Sequence, residues 1–92
     1  MSQSVASGTP INKTGTATIS VASCNLLGFY VNNTTNGTLV LRVGADGAAT
    51  GTAISGTITP AIGWHAYPAY CPSGLHATIA NTLDVTFSVA AG

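Results

Sequence analysis

The sequence predicts an all-β domain: a small antiparallel β-sandwich or barrel (jelly-roll-like) of about seven short strands behind an extended N-terminal arm. Three observations predict it. Apolar residues recur at every second position in several stretches, the period of a half-buried strand. Turn-forming residues interrupt those stretches at short intervals. No window of a dozen residues carries the spacing of an amphipathic helix.

Taken in order, residues 1–13 show no periodicity and carry Ser, Gly and Pro. They read as an extended arm, disordered alone and ordered by a neighbour, with Val5 and Ile11 as its apolar anchors and Pro10 limiting its freedom. Residues 14–92 read as one domain, since a chain of 92 residues has room for a single modest core. "TATISVA" alternates, with Ala17, Ile19 and Val21 on one face. "LLGFYVN" is expected to place Leu27, Phe29 and Val31 together, and "TLVLRVG" to place Leu39, Leu41 and Val43 inward with Arg42 outward. Asn36-Gly37 lies between these two stretches and suits a hairpin turn requiring positive φ. Asp46-Gly47 marks a loop, and Pro60 ends a strand read from "TAISGTI". "CPSG" turns the chain into "LHATIA", and "TLDVTFSV" alternates most clearly, with Leu83, Val85, Phe87 and Val89 inside.

Composition removes several functions. Lys13, Arg42, Asp46 and Asp84 are the only charged side chains, while fourteen threonines, eight serines and six asparagines supply polarity. Two cations cannot neutralise a run of phosphates, so no nucleic-acid partner is expected. A polybasic membrane patch is missing, no apolar run approaches a bilayer span, and the opening "MSQSVASGTPINK" lacks the features of a secretory signal. Net charge near zero leaves a free monomer prone to self-association, a pressure that an assembly subunit escapes.

Most residues capable of chemistry fall in "GWHAYPAYCPSGLHATI", residues 63 to 79. His65, Cys71 and His76, joined by the distant Cys24, have the identities of a zinc set, but no close ligand pair of the C-x2-C or H-x3-H kind is present. No metal or other cofactor is expected. Cys71 with a histidine lacks an orienting acid, since Asp46 sits in a turn and Asp84 on an outer strand face. No catalytic residues are expected either, and the chain does not read as an enzyme. Cys24 and Cys71 read as two small buried thiols, with a single bridge between them as the alternative. Alternation along 64 to 70 puts Trp64, Ala66, Pro68 and Tyr70 on one side and His65, Tyr67 and Ala69 on the other. Pro68 cannot donate a ladder hydrogen bond, so the segment reads as an edge strand or a bulged corner. Its aromatics either plug one end of the core or, exposed, mark a partner surface. The candidate partner-binding residues are Val5, Pro10, Ile11, Trp64, His65, Tyr67 and Tyr70.

The stretches Gly37-Thr38-Leu39, the glycine-rich loop 44 to 51, Gly74-Leu75, and Thr82 with Asp84 through Phe87 resemble small virion proteins of tailed bacteriophages. The resemblance covers residues 25 to 89 and rests on turn and strand patterns. It implies a small β-fold that forms a homo-oligomer, commonly a trimer, and acts as a capsid decoration (cement) protein. Such a protein binds the major capsid protein on the capsid exterior and is assembled in the bacterial cytoplasm, where cysteines stay reduced. A carbohydrate-binding module on a tail or fibre, stacking sugars on Trp64 and the tyrosines, is the alternative.

Overall fold

The computed structural model describes residues 8–91. Over these the protein is all-β, with one antiparallel sheet of six strands and a 3-10 turn at Ala45–Gly47. The strands are β1 (Thr9–Lys13), β2 (Ala17–Ser20), β3 (Cys24–Val43), β4 (Thr52–Ala53), β5 (Gly63–Cys71) and β6 (Leu75–Ala91).

Two long strands organise the sheet. β3 and β6 pair along their whole lengths, from Cys24 opposite Ala91 to Val43 opposite Leu75. A straight strand of 20 residues would run about 66 Å. The longest dimension of the molecule is 42 Å, so the ribbon bends. Register shows where. β3 uses 20 residues against 17 in β6, and the three extra residues (20 − 17) enter at shifts between Leu26 and Gly28, Val31 and Asn33, and Thr35 and Asn36. Each bulge adds twist and exchanges the faces of the residues beyond it.

The inward set of β3 therefore changes parity: Cys24 and Leu26, then Phe29 and Val31, then Leu39 and Leu41. Leu27, expected beside Phe29 and Val31, falls at the first bulge, and Leu26 takes the buried place. Asn36-Gly37 is not a hairpin. Such a turn needs positive φ at both central residues, and here Asn36 has φ 54° while Gly37 does not enter that region. One left-handed residue makes a bulge, and the chain continues in the same strand. The expected strands on either side merge into β3, as "LHATIA" and "TLDVTFSV" merge into β6. Six strands result, two of them long. "TAISGTI" contributes only Thr52–Ala53 and a bridge in which Ile58 and Leu39 exchange backbone hydrogen bonds.

The ribbon has two differently flanked halves. In the first, β1, the C-terminal part of β6, the N-terminal part of β3 and β5 lie side by side. In the second, β2 flanks the start of β6, and β4 with Ile58 flanks the end of β3. The inner faces of both feed one apolar core that includes Phe29, Phe87 and Leu26 from the first half and Leu39, Leu41 and Leu75 from the second. Full burial of such side chains contributes about 1.5–3 kcal/mol each. The phenol of Tyr67 on β5 donates to the carbonyl of Ile54 beyond β4, tying the two flanks together.

Residues 9–13, read from sequence as the end of an arm, form β1 on the chain's own sheet, with Ile11 opposite Phe87 and packed against the core. Val5 lies outside the described residues.

Candidate functional site

The outer face of the first half carries the exposed aromatics. Direct pairing puts Asn12, Thr86, Tyr30 and Trp64 in one row across β1, β6, β3 and β5. Three interstrand spacings make this row about 14 Å long. The next row is Pro10, Ser88, Gly28 and Ala66, and beyond the bulge follow Ala90, Asn25 and Tyr70. Tyr30, Trp64 and Tyr70 are 46%, 53% and 61% exposed. The middle row is small for a reason. A side chain built on Gly28 would collide with the His65 carbonyl and lie 2.7 Å from the six-membered ring of Trp64. The indole thus lies over the glycine, half open to solvent.

Polar groups are fixed at the other end of the row. The Asn12 amide donates to Asp84 Oδ1 at 2.7 Å and to Thr86 Oγ1 at 3.0 Å. The Asn32 amide donates to the same two oxygens at 3.3 and 3.0 Å. Hydrogen bonding of this kind fixes the orientation of both amides, because only their NH2 ends can donate. Their carbonyl oxygens and Asp84 Oδ2 have no partner among the described residues.

The sequence-derived candidates separate by face. Trp64 and Tyr70 are outward and exposed, and Pro10 is exposed in the same face. His65 and Tyr67 point inward. His65 stacks on Phe29 at 5.3 Å, and its Nε2 donates to the Ala61 carbonyl at 2.7 Å, while Tyr67 is held by Ile54. These two, with Ile11, lie behind the face, packed toward the core. Pro68 sits at a bulge on an edge strand, since among the described residues β5 pairs only with β3 and its register shifts there. Beside it an open groove of about 410 Å³ runs between β5 and Ile54.

Sequence reasoning missed Tyr30 and the Asn12–Asn32–Asp84–Thr86 cluster. The alternation of Tyr30 against Phe29 and Val31 is a signal for the first. Nothing local signals the second, because residues 12, 32 and 84 meet only through strand pairing.

The ligand types of a metal site do not gather. His65 is on Phe29, Cys24 and Cys71 sit opposite each other as free thiols across β3 and β5, and no three His, Cys, Asp or Glu side chains cluster among the described residues. His76 alternates with the inward Leu75 and Ala77 and is nonetheless only 5% exposed. It lies between Thr18 and Arg42, beside the 3-10 turn that packs on β2 and β6, and neither ring nitrogen has a hydrogen-bond partner among the described residues. Arg42 donates to the Gly51 carbonyl at 3.2 Å.

The fold and this face define a class: a small antiparallel β-domain presenting a preformed aromatic surface with fixed amides beside it. Compared with protein-family models, curated proteins and solved structures, the chain matches none of them.

Proposed function

We propose that the protein is a structural component of a bacteriophage virion, a capsid decoration (cement) protein. It assembles as a homotrimer on the capsid exterior and bridges subunits of the major capsid protein. The observation that carries this reading is the outer face of β3 and β5, where Tyr30, Trp64 and Tyr70 stand exposed around small residues on a rigid sheet. Rigid aromatics at the centre of a contact supply most of its energy at little entropic cost. With four ionic side chains in 92 residues, the contact rests on apolar burial and neutral hydrogen bonds. It therefore survives added salt, which screens charged contacts far more than apolar ones.

The test is light scattering on the purified chain at low and high salt, followed by binding to empty capsids. The expected result is a trimer that persists in high salt and decorates capsids, with Trp64→Ala weakening capsid binding about tenfold or more while the fold is retained. A monomer that ignores capsids, or an affinity falling tenfold between low and high salt, overturns the reading.

One arrangement favours a second reading, a carbohydrate-binding module on a tail or fibre. The row Asn12–Thr86–Tyr30–Trp64 sets fixed hydrogen-bonding groups beside stacking surfaces, which matches the mixed apolar and hydroxyl faces of a sugar. Titration with soluble cello-, malto- and chito-oligosaccharides separates the two. Saturable binding lost in both Trp64→Ala and Asn32→Ala, with no capsid binding, selects this module.

A further inference from the structure

We propose that Cys24 and Cys71 are a latent cross-strand clamp, which closes as an intramolecular disulfide on exposure to a small-molecule disulfide oxidant and fixes β5 to β3. The two residues are free cysteines directly opposite each other in the antiparallel β3–β5 ladder. Directly opposed residues in such a ladder have Cα atoms about 4.5 Å apart in a non-hydrogen-bonded pair and about 5.5 Å in a hydrogen-bonded one. Both values lie within the range a disulfide spans. Both side chains turn into the core, 4% and 0% exposed, so each thiol has the other as its neighbour and is shielded from other chains.

The placement gives the bond an effect. Among the described residues β5 is held along one side, by β3, and its ladder is interrupted by the bulge at Tyr67 and Pro68. On one side of that bulge Trp64 lies over Gly28 and His65 on Phe29. On the other side Cys71 follows Tyr70, the outermost aromatic of the face, and Cys24 precedes its partner Asn25. A bond here pins the Cys71 end of the strand that carries Trp64 and Tyr70.

The chemistry is thiol–disulfide exchange with oxidised glutathione as the oxidant class. One cysteine thiolate attacks a glutathione sulfur, forming a mixed disulfide and releasing one glutathione thiolate. The second cysteine thiolate attacks the protein-side sulfur and releases the other glutathione. Two protein thiols are oxidised, one small disulfide is reduced, and the two thiol protons pass through solvent to the two glutathione thiolates, giving two reduced glutathiones. Burial, with Cys24 beside it, pushes the Cys71 thiol up to about 11, so only about one molecule in ten thousand carries that thiolate at neutral pH. Closure is therefore slow at neutral pH and accelerates as pH rises. On the proposed virion function, the pair stays open during assembly in a reducing cytoplasm and closes after release; that consequence rests on that reading, whereas the clamp itself does not.

The experiment incubates the folded full-length chain with oxidised glutathione at mildly alkaline pH, then alkylates remaining thiols in denaturant and measures intact mass. The expected product is a monomer with no alkylatable thiol and no retained glutathione. Its thermal midpoint rises by about 10 °C and returns on reduction. Cys24→Ala and Cys71→Ala each stop at a free thiol or a mixed disulfide. Two alkylatable thiols remaining, a stable glutathione adduct, a linked dimer, or a bond without a higher midpoint each overturns the proposal. Capsid binding of oxidised and reduced chains, measured separately, reports on the docking reading without bearing on the mass result.

Discussion

The two halves of the β3–β6 ribbon share a core and differ in what they show to solvent. The first turns out aromatics over glycine and alanine, with amides tethered at its margin. The second turns out threonines and a serine from β2 and β6, and the 3-10 turn packs there beside His76. One half presents a face, and the other is already occupied by its own loop. The contrast shows how a single pair of strands, re-aimed by three bulges, separates an exposed aromatic surface from a surface sealed within the chain.

The largest test asks whether the halves are one folding unit. Phe87→Ala empties a fully buried site in the first half, at an expected cost of about 3–5 kcal/mol. If the core is continuous, hydrogen exchange at Leu39 and Leu41 in the second half accelerates together with that at Phe29. Retained protection at Leu41 would show two independent units. Next comes the seat of Trp64. Gly28→Val is expected to cost about 1–3 kcal/mol through overpacking and to unseat the indole. Gly56→Val, in a loop with open space around it, should change the unfolding free energy from denaturant melts by no more than about 0.5 kcal/mol. Equal losses would mean that Gly28 is no tighter than a loop.

His76 sharpens the comparison from the sealed side. Its ring nitrogens are buried without partners, so His76→Leu should stabilise the protein by about 1 kcal/mol by removing an uncompensated polar group. A destabilised variant in urea melts would show that the imidazole is satisfied in solution. A further effect is a slope with pH. The Cys71 thiol is raised from 9.0 to about 11 in the folded state, so the folded chain holds a proton that the unfolded chain releases first. Stability is therefore unaffected below about pH 9 and falls between 9 and 11. Cys71→Ala should flatten that limb relative to the parent chain in the same buffers.

The fold class was legible in the sequence because alternation is local: each inward residue of β6 follows from its neighbours two places away. Alternation along "GWHAYPAY" likewise separated Trp64 and Tyr70 from His65 and Tyr67. The two long strands were not legible, because whether Asn36-Gly37 reverses the chain depends on the φ of Gly37, which β6 sets by continuing alongside. Leu27 failed for the same reason, since a bulge is decided by two strands jointly. The burial of His76 depends on packing between distant parts of the chain. The amide cluster draws on residues up to 74 positions apart, a separation at which no sequence pattern carries information about contact.

Pro68 has a consequence for how copies of this chain can accumulate. A free strand edge ordinarily templates the addition of another strand, and repeated additions grow into fibres. On β5 the missing N–H and the bulge break the row of groups such a template needs. A chain with almost no charge to keep copies apart thus carries, in the edge strand that bears Trp64 and Tyr70, an imino acid that interrupts strand-by-strand growth there.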